Sequence, residues 1–167
     1  MTQSSTQESL LFAAANAPPG GVHRVTARDA GWDLLNVETR SLRAGETWAH
    51  ETGGSEAALV ILGGQCSVSS NRGDWPSIGR RADVFGGMPW ALYLPRHSDF
   101  TLTALSDGLE LAHAWVPTDQ DHPAQIVTPD QSQVEVRGGD HATRQINSIL
   151  PPGFDCHRLV ACEVYTP

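Results

Sequence analysis

Two side chains able to ligate a metal, His50 and Glu56, stand in a stretch that reads His50-Glu-Thr52-Gly-Gly-Ser-Glu56 and then runs on to Gly63. A first-row divalent ion wants three or four nitrogen or oxygen ligands around a fixed centre. Thr52, between the two, offers only a neutral hydroxyl. A later stretch, Pro95-Arg96-His97-Ser98-Asp99-Phe100, supplies an imidazole at His97 but ends on Phe100, which cannot ligate. His113 lies in Leu111-Ala-His-Ala-Trp115, where strand alternation puts it on one face with Leu111 and Trp115. That pattern reads as a core histidine with one hydrogen-bonded nitrogen. His97 sits at a strand-to-loop corner, either lining a pocket or solvated. His122, His141 and His157 fall in polar loops without a pattern.

The elements that must position these groups are strands. Residues 32–43 carry apolar side chains at Trp32, Leu34, Leu35, Val37 and Leu42. The continuous run Ala57-Ala-Leu-Val-Ile-Leu62 predicts a buried strand, Gly63-Gly64 a hairpin turn, and residues 66–70 an alternating return strand with Cys66 as a small buried hydrophobe. Asn71-Arg-Gly73-Asp74 predicts another turn. Short strands are expected at 83–85, 91–94, 100–104 and 109–116, the turn-punctuated pattern of an all-β sandwich or barrel. Residues 1–21 read as a loose arm with one helical turn at 10–15, residues 22–117 as a barrel and the Asp-, Pro- and Gln-rich stretch 118–133 as a linker. Residues 134–167 then read as a strand-rich extension, with strands at 133–137, 143–150 and 158–165.

Bulk properties exclude several functions. The 167 residues carry 11 basic and 19 acidic side chains, a net charge of −8, which disfavours a nucleic-acid partner because such binding relies on Lys and Arg at phosphates. There is no lysine, so Schiff-base chemistry is excluded. No apolar run approaches the roughly 20 residues of a membrane helix, and no basic residue precedes Leu10-Leu-Phe12 as a secretory signal would require. Three cysteines, Cys66, Cys156 and Cys162, fit a reducing cytoplasm better than a disulfide framework.

The 50–63 and 95–100 stretches resemble the paired motifs of a cupin, a double-stranded β-helix barrel, with Thr52 where a second His of His-x-His would stand and Phe100 where a later imidazole would. His50 and Glu56 then read either as a weak metal pair on adjacent strands or as a leftover pair at the barrel mouth or on the surface. Further segments, in order, resemble the KduI/IolB family, in its 5-deoxyglucuronate isomerase branch: Ala30-Gly-Trp32, Leu42-Arg-Ala-Gly45-Glu46, Gly79-Arg-Arg81-Ala-Asp83-Val-Phe85, Tyr93-Leu-Pro95, Leu109-Glu-Leu-Ala112, Val134-Glu-Val-Arg-Gly138, Thr143-Arg144 and Glu163-Val-Tyr-Thr-Pro167.

The resemblance implies two barrels in one chain, with a divalent metal (Zn or Mn) only in the full-length member's second barrel. It implies no cofactor in these 167 residues, which would hold a metal-free cupin and the opening strands of a second, incomplete one. The implied chemistry interconverts an aldose and a ketose in inositol breakdown. A metal holds the two substrate oxygens and a base moves the proton. The rival expectation is a metal-free cupin serving as an oligomerisation or small-ligand module. Arg144 matches a recurrent arginine of the family and suits a sugar-acid carboxylate; the alternative is a salt bridge to Asp140. The tryptophans 32, 48, 75, 90 and 115 are expected to pack the core or barrel mouth. A homodimer is expected through residues 143–165, whose apolar Ile146, Ile149, Leu159, Val160, Val164 and Tyr165 need cover, as do Val134 and Val136.

Overall fold

Strands whose apolar residues alternate can bury one face, while strands that are apolar throughout must bury two. Both kinds occur, and the strands buried on two faces, Ser55–Gly63 and Trp90–Leu94, sit side by side in one sheet. The structure is a computed structural model describing residues 23–139 and 141–166. The arm expected at 1–21, its helical turn and Asp140 lie outside the described residues. A six-stranded antiparallel sheet has the order β1 (His23–Val25), β2 (Asn36–Leu42), β9 (Leu109–Pro117), β4 (Ser55–Gly63), β7 (Trp90–Leu94), β10 (Gln125–Val127). A four-stranded sheet has the order β3 (Thr47–Glu51), β8 (Asp99–Ala104), β5 (Cys66–Ser70), β6 (Gly73–Ile78).

The two sheets face each other as a cupin barrel. Leu59, Ile61, Leu92, Leu94, Leu109 and Leu111 from the first meet Trp48, Cys66, Val68, Ile78, Phe100 and Leu102 from the second. In β8 buried and more exposed residues alternate, as one covered face requires. In β4 and β7 they do not, because Ala58, Ala91 and Tyr93 on the opposite face are also buried.

The cover for that outer face is the extension. Its sheet runs β11 (Gln133–Arg137), β12 (Arg144–Leu150), β13 (Ala161–Tyr165). Ile149, Leu150 and Leu159 pack there with Val116 and Val127. Burying each such aliphatic side chain contributes about 2 kcal/mol. Ile149 and Leu159, expected to need a second chain, are therefore covered by their own barrel, whereas Val134, Val136, Val160 and Val164 remain exposed.

Two charged side chains fasten the extension. Glu56 is fully buried on the outer face of β4. Its Oε1 accepts from the backbone N–H groups of Arg158 (2.6 Å) and Leu159 (2.9 Å). Its Oε2 accepts from His157 N–H and the Tyr93 hydroxyl, both at 2.9 Å. Arg81 donates to Ile61 O at the β4 bulge, to Gly87 O and to both carboxylate oxygens of Glu163 on β13. Gly63 lets the Arg81 loop approach: a Cβ there would lie 2.6 Å from Ala82 O.

Several local expectations are corrected. Residues 83–85 form a bend rather than a strand, and Phe85 is 87% exposed. Trp32, Leu34 and Leu35 are exposed and precede β2, because helix α1 (Ala27–Ala30), closed by a Thr26–Asp29 capping box, occupies the approach. Residues 73–78 pair as a strand, β6. The segment read as a linker supplies β10, which pairs with β7 and buries Val127. The last strand starts at Ala161 rather than 158, since the amides of residues 157–159 are committed to Glu56.

Glu56→Gln removes one charged acceptor oxygen and sets an amide against amide donors. It is expected to cost about 3 kcal/mol in urea unfolding and to speed hydrogen exchange at His157, Arg158 and Leu159. Unchanged exchange at those three amides would contradict the clasp.

Candidate functional site

Strand register assembles a polar cluster inside the barrel. Glu38 on β2 lies directly opposite His113 on β9 and Arg24 on β1. Glu38 is 1% exposed, so its charge needs partners. Arg24 Nε donates to Oε2 at 2.9 Å, Arg40 Nε donates to Oε1 at 2.7 Å, and His113 Nδ1 lies 3.2 Å from Oε1. Burial alone would raise the Glu38 pKa. Hydrogen bonds from His113 and Arg40 outweigh it and bring the pKa down to about 2.

Aromatic rings enclose this ion network. Trp115 stacks on His113 with centroids 4.6 Å apart, and His50 meets His113 edge-on at 5.1 Å. Trp48 touches His50, Phe100 and His113, each at 5.2 Å. The Arg40 guanidinium lies 4.1 Å above Trp48 and that of Arg24 5.2 Å from Trp115. His113 is thus the core histidine its alternation indicates, bonded through one nitrogen. Its Nε2 is buried without a hydrogen-bond partner among the described residues. An open groove of about 570 Å³ passes His50 and Phe100, with Ser70, Asn71 and Asp99 on its wall.

The structure does not bring His50 and Glu56 together. His50 lies in the interior aromatic cluster, while Glu56 is on the outer face of β4 with both oxygens filled. Thr52 ties two loops at the barrel end: its hydroxyl donates to Pro95 O and accepts from Ser98 N–H, each at 2.9 Å. Phe100 pairs across the strands with His50 and is buried. His97 sits in an exposed turn at φ 56°. Arg144 is exposed opposite Arg137 on β11 and makes no ion pair among the described residues. Its proposed partner Asp140 lies outside them. Among the described residues no three of His, Cys, Asp and Glu converge as a metal site.

Glu38, Arg24 and Arg40 were missed by the residue pattern. In 36–42 the charged residues alternate as a solvated face would. The available signal was that Glu38 and Arg40 share a face with the apolar Leu42, and register was needed to see that this face points inward.

Burial holds the His113 and His50 pKa values below the ordinary 6.5, with His113 adding to the effect at His50. A histidine whose folded pKa is depressed binds fewer protons than in the unfolded chain. Stability is therefore expected to fall as pH drops below about 6.5 toward the folded values. Glu38 contributes in a separate window, its stabilisation full above the ordinary 4.5 and lost as pH falls from there through about 2. Urea midpoints between pH 7 and 5 check this: the wild type should decline, and His50→Asn should decline less. A flat wild-type profile would contradict it.

Comparison with known proteins places this geometry. A model of the KduI/IolB family matches residues 10–167. A 5-deoxy-glucuronate isomerase of Geobacillus thermodenitrificans is 37% identical over 149 residues, covering 89% of this chain and 54% of that protein. Its counterpart in Geobacillus kaustophilus is 34% identical over 162 residues, covering 95% and 58%. The crystal structure of an IolB-like protein from Salmonella typhimurium LT2 superposes with a TM-score of 0.82 at 30% identity, covering 86% of this chain and 54% of that one. The chain spans about half the length of the curated relatives it matches.

Proposed function

This chain belongs to the KduI/IolB family, and from that premise we propose that it serves the aldose–ketose isomerisation of 5-deoxyglucuronate in inositol breakdown. The observation that carries the proposal is the 37% identity to a 5-deoxy-glucuronate isomerase over 89% of the chain. Within that function the described residues act as framework. They set a closed barrel, clasp the three-stranded sheet to it and present that sheet's outer edge.

The family resemblance implies a divalent metal only in the full-length member's second barrel, and the carboxylates of this barrel are poor ligands for one. Glu56 has four donors on its two oxygens, and Glu38 is engaged by Arg24, Arg40 and His113, so both carboxylates are already committed to protein partners. No catalytic step is assigned to a metal in this barrel. Arg144 supports the substrate reading, because its exposed guanidinium has no ion-pair partner among the described residues and suits a sugar-acid carboxylate. The 167-residue chain alone is expected to show no turnover of 5-deoxyglucuronate with added Zn²⁺ or Mn²⁺. A rate abolished by chelator and restored by metal would show that this barrel catalyses.

The second reading, a metal-free assembly module, draws on a different observation. Val134, Val136, Val160 and Val164 stay exposed on the extension. Exposed apolar strands favour association, and a homodimer through this sheet is the proposed outcome. Light scattering should give a dimer for the full chain and a monomer for Val136→Lys. A monomeric full chain would exclude it. The described residues contain no helix long and apolar enough to cross a membrane, and a cytoplasmic location is part of the proposal.

A further inference from the structure

We infer that the mouth of the barrel is a seat for a small organic carboxylate, built from Arg24 and Arg40 against the faces of Trp115 and Trp48. This seat is separate from Arg144 and does not rest on the isomerase reading.

Three observations carry it. First, both arginines engage Glu38 through Nε alone. Among the described residues their terminal Nη groups make no hydrogen bond, although a guanidinium presents its fork there for bidentate contact with a carboxylate. Second, two guanidiniums surround one carboxylate while burial keeps His50 and His113 neutral, so the cluster carries one positive charge in excess. That excess stands in a chain of net charge −8, and an anion is the complementary guest. Third, His113 Nε2 is buried and unpartnered among the described residues, at a residue that is 0% exposed. A buried polar atom without a partner is costly, and a bound molecule or water would relieve it.

The surroundings set the class of ligand. Trp115 is only partly buried and the Arg24 side chain is 47% exposed, so the cluster reaches solvent on that side. The tryptophan faces favour a guest with a C–H or ring face beside its carboxylate. Polyhydroxy ring acids combine the two. A divalent cation is the wrong guest, since both guanidiniums repel it.

Binding by the full chain decides the matter, read as tryptophan fluorescence and by calorimetry at constant ionic strength without added metal. The probes are D-glucuronate and D-glucose, which differ at the carboxylate. Saturable binding is expected for glucuronate and none for glucose. Arg24→Gln, checked for native circular dichroism, should weaken glucuronate by roughly tenfold or more, and Arg24→Lys by less. Arg43→Gln, at an exposed arginine outside the cluster, should bind as the wild type does, and Arg144→Gln is measured beside it. No saturation, an equal response to glucose, or full affinity in Arg24→Gln would overturn the inference. Loss in Arg144→Gln instead would place the carboxylate site on the extension. Turnover enters none of these readouts, so failure of the isomerase reading would leave them interpretable.

Discussion

A buried carboxylate, Glu56, without a cationic partner among the described residues holds the two parts of this molecule together. The central strands β4 and β7 of the six-stranded sheet are buried on both faces, so their outer face needs cover. The extension covers it, and the Glu56 oxygens bind the loop that brings Leu159 down. Three backbone N–H groups and one hydroxyl replace the water that an ionised carboxylate loses on burial. They outweigh that burial, and the Glu56 pKa lies below the ordinary carboxylate value. The Tyr93 hydroxyl, donating to the same carboxylate and buried beside it, is pushed up. Arg81 repeats the arrangement with opposite charge at the other end of β4, so the sheet is fixed at two points along one strand.

The sequence patterns revealed the barrel for a physical reason. Alternation in β3, β8 and β5 reflects one buried face, and the unbroken apolar run in β4 reflects two. That run already implied a second layer on the outer face, although the extension was taken to need another chain. Pro- and Asp-rich residues 118–133 concealed β10 because three residues suffice to bury Val127 beside β7. The charged residues were the least legible. Glu38, Arg81 and Glu56 are buried against partners far along the chain, His113, Glu163 and the amides of residues 157–159 among them, and no local pattern encodes a partner some tens of positions away.

The same strand pattern explains why His50 and Glu56, close in sequence, do not meet. His50 and Glu56 have the separation of ligands, but Glu56 is turned to the outer face and is saturated there. Thr52 is consumed by the loop tie between residues 52 and 95–98, and Phe100 fills the space opposite His50 with a ring. Thr52 and Phe100 thus serve loop closure and packing.

Electrostatics then decides what the interior can still accommodate. Glu38 neutralises only one of the two guanidiniums that flank it, and the neighbouring imidazoles stay neutral because burial disfavours their charged form. Deleting Glu38 would leave the Arg24 and Arg40 guanidiniums without the carboxylate they share. Its presence still leaves both arginine forks unsatisfied among the described residues. Arg40 and Arg24 lie over tryptophan faces, whose quadrupoles favour cations but give the Nη groups nothing to donate to. Two guanidiniums against one carboxylate leave a local positive potential. Such a potential, lined by ring faces and open toward solvent at Arg24, is complementary to an anion with an apolar side.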